Sequence, residues 1–378
     1  YDTSDYLNVD PILGSNEDLS RLCEKAAALG IRVILDGVFS HTGADSRYFN
    51  RYGSYKSRGA WQGKDSPYYS WYDFRSFPSE YRCWWGFKDL PEVDETNPKW
   101  QNFVITGKDS VVKTWLRRGA AGWRLDVADE LPDEVLALIR KAANYALGYA
   151  LDTVMNYPLR KAILHFFHGW IDAYGLRDFL IDQQINYPKP MYYSLMNLLG
   201  SHDVERLRSA LAADVVIKDF SREEQLAMHF DDEALERAVK QEKLAAAIQF
   251  AIPGVPSIYY GDEQGMCGVG DPFNRLPFKE DRRDLQDWYA GLAARRNASP
   301  ALSTGEAKFM AASRDVLLIL RYVRDGRDVF GEAAENGTWL IAVNRGPKTV
   351  DFTVDCTEAG CGVYHGSIEA NTSRYLEL

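Results

Sequence analysis

The sequence has no apolar run long enough to span a bilayer and no excess of positive charge, and these two absences narrow its partners. A net charge of −10 argues against nucleic acid or an anionic membrane surface, because either selects for basic patches. Neutral substrates fit better. Cysteine is scarce: Cys23, Cys83, Cys267, Cys356 and Cys361 form an odd, scattered set without the C-x-x-C spacing of a metal site. No disulfide framework is expected, and a Cys356–Cys361 bridge is left open. The glycines between Gly265 and Gly270 lack the G-K-[ST] ending of a phosphate loop. His165 and His168 have the spacing of metal ligands on a helix but no partner glutamate, so they read as packing or surface residues. No leader peptide is visible, an absence that says little if the sequence begins inside the protein; a cytoplasmic location is expected, with export left open. What remains is 378 residues with 46% hydrophobic content, enough for one large domain and a smaller one.

Three segments share one grammar, an apolar strand that ends in polar residues of catalytic type. The most informative is Gly122-Trp123-Arg124-Leu125-Asp126, continuing to Glu130. Side chains on a strand alternate, so Arg124 and Asp126 emerge on one face and lie side by side. A neighbouring guanidinium favours an ionised carboxylate, as attack on an electrophilic carbon requires, so Asp126 is the candidate nucleophile. An isolated R-x-D would read as a strand-end salt bridge. Here two further segments follow the same rule: Ile31 to Asp36, leading into Gly37-Val38-Phe39-Ser40-His41, and Ser194 to Leu199, leading into Gly200-Ser201-His202-Asp203. The first is preceded by a helix pattern with Ser15 and Asp18 as a capping box and Gly30 as its stop. Strands separated by helices, with their chemistry at the carboxyl ends, describe an α/β barrel with its active site at one rim.

Asp36 to His41, Gly122 to Glu130 and Leu199 to Asp203 resemble three signature regions of the α-amylase superfamily, glycoside hydrolase family 13. Tyr1-Asp2-Thr3-Ser4-Asp5-Tyr6, Trp84-Trp85-Gly86-Phe87, Leu90 to Asp94, Tyr259 to Glu263 and Asp271 to Arg275 are similar to the neopullulanase, cyclomaltodextrinase and maltogenic amylase group. The resemblance runs from Tyr1 to about residue 300. It departs at Ser40, where the family usually has asparagine; a serine can still hydrogen-bond, so His41 is expected in a different orientation.

The resemblance implies a (β/α)8 TIM barrel over residues 1–300, with a subdomain inserted after the third strand at about 42–100, and a C-terminal antiparallel β-sandwich over 301–378. It implies retaining hydrolysis of α-glucans such as maltooligosaccharides or cyclodextrins, with Asp126 as nucleophile and Asp203 as a second catalytic acid. Tyr1, His41, Arg124 and His202 are implied as substrate-binding residues, Tyr1 beneath the sugar on the non-reducing side of the scissile bond. No cofactor or metal is required; some relatives hold a structural calcium, whose loops are not legible in this sequence. An α-glucan oligosaccharide is the implied partner, and the group often dimerises.

Strands at 31–36, 121–126, 151–155, 194–200 and 255–260 correspond to the third, fourth, sixth, seventh and eighth of such a barrel. The first two would precede Tyr1, and the fifth is missing between Ala143 and Leu147, where the helix from Pro132 to Ala143 runs almost directly into the sixth strand. The family's fifth strand carries the glutamate that protonates the leaving oxygen. Between Leu131 and Leu147 the only glutamate is Glu134, inside a helix pattern; Glu130 belongs to the exit of the fourth strand, and Glu263 has a structural role by resemblance. An open-edged barrel is not expected to be soluble, so the sequence is expected to omit residues of the working polypeptide. A true deletion would favour the rival reading, a non-catalytic carbohydrate-binding or scaffold protein on the same fold.

The many aromatics from His41 to Trp100 are expected mainly as the core of the inserted subdomain, with Trp84 or Trp85 as a cleft wall that stacks on sugar. The charged run from Asp219 to Lys243 reads as a solvated helical pair. Beyond residue 300, Val316 to Leu320, Thr338 to Val343 and Val350 to Val354 read as short strands of a stabilising sandwich.

Overall fold

The computed structural model describes residues 1–143 and 152–378, so the expected fifth-strand gap and Leu151 of the expected sixth strand lie outside the described residues. The chain packs as two units, Tyr1–Asp152 and Thr153–Leu378. The division falls at Asp152, while the change from helical to strand-rich sequence falls near residue 300.

In the first unit the helix Asn16–Ala28 starts as its sequence dictates. The Ser15 side chain accepts from the Asp18 backbone, Asp18 answers to the Ser15 backbone, and Gly30 takes the left-handed φ of +76° that ends it. The chain then enters strand β1 (Ile34–Gly37), three residues later than the pattern suggested; among the described residues Ile31 and Arg32 pair with no strand. Strands β2 (Phe74–Ser76) and β3 (Glu80–Tyr81) form a short antiparallel hairpin. Strand β4 (Gly122–Leu125) pairs parallel with β1, placing Asp36 opposite Arg124. The ladder continues past both named ends, with Ala121 N–H donating to Val33 O at 2.7 Å and Asp126 N–H to Gly37 O at 3.1 Å.

The core of this unit is aromatic. Tyr6, Phe39, Tyr48, Phe49, Trp71, Tyr72, Tyr81 and Trp100 are all buried with Val104, Val112 and Trp115. Most rings of the 42–100 excursion thus pack one another, while Trp85 and Phe87 stand 75% and 59% exposed.

In the second unit the expected strand at 151–155 contracts to one parallel bridge, Met155 with Met196. Strand β5 (Met196–Leu198) pairs parallel with β6 (Val255–Ser257). Beneath them lies a buried amide network: Asn156 Nδ2 donates to Asn197 Oδ1 at 2.9 Å, and Gln249 Nε2 to Asn197 O at 2.7 Å and Ser257 O at 2.9 Å. Each of these amide nitrogens has a partner, while Gln249 Oε1 has none among the described residues. Arg296 caps the run out of the helix Asp232–Ala251, donating to Phe250 O, Ile252 O and Gly254 O at 2.8, 3.1 and 2.6 Å. Those carbonyls have no helical donors left, so a guanidinium fork suits them.

Residues beyond 305 form strands β7 (Glu306–Ala311), β8 (Val316–Val323), β9 (Gly337–Asn344), β10 (Val350–Asp355), β11 (Val363–Ile368) and β12 (Thr372–Glu377). Four pair antiparallel in the order β12-β9-β8-β7, and β10 pairs with β11. The unbroken apolar run of β8 follows from covering both faces of the sheet. Val316, Leu318, Leu320, Leu340 and Ala342 meet Phe352, Val354 and Ile368, whereas Leu317, Ile319, Ile341 and Val343 turn to the helical core. A strand with one wet face would alternate instead.

The expected solvated helical pair is only half solvated. The helix Arg222–Ala227 is short and mostly exposed, but Asp232–Ala251 is long and buries Ala238, Val239 and Glu242. Glu242 accepts from the Tyr289 hydroxyl at 3.3 Å, and its second carboxyl oxygen has no partner among the described residues. Burial raises its pKa well above that of an ordinary glutamate; Asp262 and Glu263 push the same way, while Tyr289 and Arg208 oppose them.

The folded state therefore keeps a proton that the unfolded chain releases above a pH of about 4.3, so the cost of burying Glu242 is absent in acid and grows as pH rises. Glu242→Gln should raise the thermal midpoint near pH 7.5 by roughly 2–4 °C per kcal/mol gained, and leave it nearly unchanged near pH 4. Circular dichroism melts at both pH values measure this. An equal shift at both would contradict a neutral Glu242.

Candidate active site

Asp126 is placed by the strand that precedes it and by the arginine two residues back. Its side chain is 13% exposed, and Arg124 Nη1 donates to Asp126 Oδ1 at 2.8 Å. The same nitrogen reaches Asp36 Oδ1 and Oδ2 at 3.0 and 3.1 Å. Tyr1 completes the group, with its hydroxyl 3.4 Å from Arg124 Nη1 and its ring 5.6 Å from the guanidinium carbon. Partial burial disfavours the charged guanidinium, but the Asp36 hydrogen bond and the Asp36, Tyr1 and Asp126 charges outweigh it and raise its pKa. Tyr1, Asp36, Arg124 and Asp126 are thus brought together as one constellation.

Immediately after Asp126 the backbone turns through Val127 at φ +41°, an unfavourable conformation for a β-branched residue that costs about 1–3 kcal/mol. The turn closes with Glu130 N–H on Val127 O at 2.9 Å. It delivers the Glu130 carboxylate to two indoles, accepting from Trp84 Nε1 at 2.9 Å and Trp85 Nε1 at 3.0 Å. The two rings stack at 5.5 Å, and the inner face of Trp84 covers His41 at 5.5 Å. His41 is 1% exposed, with Nδ1 against the Ser40 hydroxyl at 2.9 Å. Burial lowers its pKa, and the Asp126 charge works against that.

In the second unit His202 and Asp203 lie together, Nε2 to Oδ1 at 3.2 Å. The other oxygen of Asp203 accepts from the Tyr157 hydroxyl at 2.9 Å, and Ser201 Oγ accepts from the Asp203 backbone at 3.1 Å. Tyr157 opens the helix Tyr157–Phe167, whose N-cap Asn156 is pinned by Asn197 and Gln183. Side chains also hold the loop: Asn274 Nδ2 donates to Ser201 O, His202 O and Val204 O at 3.3, 2.9 and 2.7 Å, and Arg275 Nε to His202 O at 3.2 Å. Neither Tyr157 nor Asn274 was singled out from the sequence, although Asn274 sits inside the segment Asp271 to Arg275 that carries part of the resemblance.

The remaining candidate acids lie elsewhere. Glu263 Oε2 accepts from Gly261 N–H at 2.9 Å, and Glu134 lies in the first turn of the helix Asp133–Ala142. Asp262 is buried beside Arg206 at 3.4 Å; burial carries its pKa up to about 7 even though Arg206 and Arg160 oppose the shift. His165 and His168 pack on Trp170 at 4.9 and 4.8 Å. Among the described residues no group of three or more His, Cys, Asp or Glu could hold a metal ion, and no helix is long and apolar enough to cross a membrane.

Residues 1–181 and 134–314 match the family model described as the catalytic domain of alpha amylase. The chain is 35% identical over 407 positions to an amylopullulanase of Thermoanaerobacterium saccharolyticum, using 95% of this chain and 31% of that one. It is 30% identical to a cyclomaltodextrinase of Geobacillus thermopakistaniensis over 95% of this chain and 59% of that one. Among solved structures it resembles the cyclic α-maltosyl-(1→6)-maltose hydrolase of Arthrobacter globiformis, with a TM-score of 0.80 and 26% identity, covering all of this chain and 82% of the other. The chain therefore spans less than a third of the amylopullulanase and about three fifths of the cyclomaltodextrinase. Since 95% of 378 residues is about 359, the 407-position alignment leaves about 48 positions with no residue of this chain. The family brings with it a (β/α)8 barrel followed by a C-terminal β-sheet domain. On the matched model and the strand-end constellations together, the chain belongs to the α-amylase family.

Proposed function

We propose that this protein hydrolyses α-glucosidic bonds in maltooligosaccharides, cyclodextrins or related α-glucans with retention of anomeric configuration. The observation that carries the reading is the Arg124 guanidinium held between Asp36 and Asp126 at the paired ends of two parallel strands. A carboxylate so held is oriented, which is what a nucleophile on the anomeric carbon needs. Asp126 attacks that carbon, the glycosidic bond breaks toward the departing oxygen, and a general acid supplies that oxygen with its proton. Water then hydrolyses the glycosyl ester, giving its proton back to the same group.

His41 and His202 bind sugar hydroxyls near the scissile bond in this reading, and Asp203 takes the adjacent hydroxyls as the ring distorts. Tyr1 stacks beneath the sugar on the non-reducing side. Residues from about 42 to 100 act as a subdomain inserted in the barrel, with Trp84 and Trp85 as its wall toward substrate. Residues 301–378 serve stability. Support for α-glucans comes from the relatives, one of them named for cyclic maltodextrins and another for cyclic maltosyl-maltose.

The proton donor is the unassigned part. Residues 144–151 contain no acid, Glu130 and Glu263 are engaged as described, and Glu134 lies in the first turn of a helix. The alignment surplus supports a working polypeptide that carries additional residues, with the general acid among them. A non-catalytic carbohydrate-binding role remains the outcome if the mass of the native protein equals 42.9 kDa and no α-glucan is cleaved.

Asp126→Asn should reduce turnover by several orders of magnitude with the fold intact, because the amide is nearly isosteric but forms no glycosyl ester. Retention of more than a small fraction of activity would remove Asp126 from the role of nucleophile.

Tyr157→Phe should lower kcat about twofold to tenfold with little change in KM, since it frees one oxygen of a carboxylate that matters most in the transition state. A raised KM at unchanged kcat would assign Asp203 to ground-state binding instead.

The stereochemistry has a direct readout. Proton NMR of the first product from maltotriose should show the α-anomer, as expected when nucleophile and acid lie ~5 to 5.5 Å apart. α-Maltosyl fluoride, whose leaving group needs no protonation, separates the two halves of the mechanism. Fluoride turnover without maltotriose hydrolysis would place the nucleophile in this chain and the acid outside it, while an initial β-anomer would end the retaining reading.

A further inference from the structure

Ser40 and His41 follow β1 and are enclosed by protein, at 3% and 1% exposure. One hydrogen lies between the Ser40 hydroxyl and His41 Nδ1, 2.9 Å apart, and either atom could own it. If Nδ1 owned it, the hydroxyl proton of Ser40 would need a second acceptor inside the protein. Among the described residues Nδ1 is the only hydrogen-bond partner of Ser40 Oγ. A buried hydroxyl left without an acceptor is strongly disfavoured, so the serine donates and Nδ1 accepts.

Nε2 is buried with no hydrogen-bond partner among the described residues, so a hydrogen on Nδ1 would orphan both the serine hydroxyl and Nε2, whereas a hydrogen on Nε2 leaves one group without a partner. Trp84 fixes the plane of the ring by covering one face at 5.5 Å and 30°, and its own indole nitrogen is held by Glu130.

We propose that Ser40 is a positioning residue that holds His41 as the neutral tautomer with its hydrogen on Nε2, so that the ring meets substrate as a hydrogen-bond donor. The ligand is a sugar hydroxyl oxygen or an ether oxygen, either of which accepts from Nε2–H. This rests on the α-glucan reading for the identity of the ligand, but not for the state of the ring. Serine has one proton to give and reaches Nδ1 alone. It can therefore enforce a tautomer at a position where the related group uses asparagine, whose amide offers both a donor and an acceptor.

Histidine-selective 15N labelling tests the ring directly. In long-range 1H–15N spectra, one of the six histidines, assigned by its loss in His41→Gln, should show an unprotonated Nδ1 and a protonated Nε2 near neutral pH. Ser40→Ala should shift the Nδ1 resonance and populate the Nδ1–H form. Ser40→Thr should restore the wild-type pattern, and Ser40→Asp, whose carboxylate accepts from Nδ1–H, should reverse it. On maltotriose, Ser40→Ala should lower kcat/KM about fivefold to tenfold, chiefly through kcat, with recovery in Ser40→Thr. A protonated Nδ1 in the wild type, or ring resonances in Ser40→Ala that match the wild type, would overturn the proposal. The spectra need no turnover, so a protein that cleaves no α-glucan still decides the question about Ser40 while separately ending the hydrolytic reading.

Discussion

Two carboxylates and one guanidinium meet at the ends of two parallel strands, and only an arrangement with the cation between the acids is tolerable there. The register of β1 on β4 sets Asp36 opposite Arg124, and the two-residue period of the strand sets Asp126 beside it. Without Arg124 the two acids would repel each other across a few ångströms in a partly enclosed setting, where Coulomb terms are several times larger than in water. The arginine therefore supports the strand pairing and the charge state of the site together. Its substitution would disturb the ladder end as well as the chemistry, which makes Arg124 a poor probe of catalysis and Asp126 a good one.

The second unit solves its own version of this problem without a central cation. Asp203 is held by a hydroxyl from the start of a helix, a serine two residues back and the adjacent imidazole, while Asn274 fixes the backbone around it by three donated hydrogen bonds. An Asn side chain has only two amide hydrogens, so three carbonyls share them in forked bonds. Such a clamp holds the path of a loop without adding charge near the acid it serves. In both units, then, the reactive group sits on an irregular segment while its supports come from regular elements, the division of labour expected where position matters more than local stability.

How much of this was legible in the sequence depends on the range of the interactions. The Ser15–Asp18 capping box, the Arg124–Asp126 pairing and the apolar run of β8 are set by neighbours within a few residues, and each appears as its pattern implies. The strand-end acids could be found because a strand announces its own end. Tyr157 and Asn274 could not, since they act across 46 and about 70 residues and nothing in their local pattern separates them from an ordinary helix start or turn residue. The solvated reading of the helix from Asp232 failed for the same reason. A buried Glu242 looks like any surface glutamate until Tyr289 and Asp262 arrive from elsewhere in the chain. Val127 was hidden differently, because a β-branched residue is the last choice for a positive φ and only the closed turn to Glu130 demands it.

The strain at Val127 also explains why Glu130 is a poor candidate for the missing proton donor, despite standing four residues from the nucleophile. A general acid must be able to lose its proton to the leaving oxygen and regain one from water, so it has to be partly free and held near neutral pKa. The Glu130 carboxylate instead spends both oxygens on indole donors, so neither is free to face a leaving oxygen. Moving it toward a glycosidic oxygen would release both Trp84 and Trp85 and uncover the face of His41. The carboxylate, the indole pair and the imidazole are thus linked by contacts that begin at the turn through Val127. A donor that breaks its own scaffold at each turnover would be self-defeating, and the acid must come from residues outside this cluster.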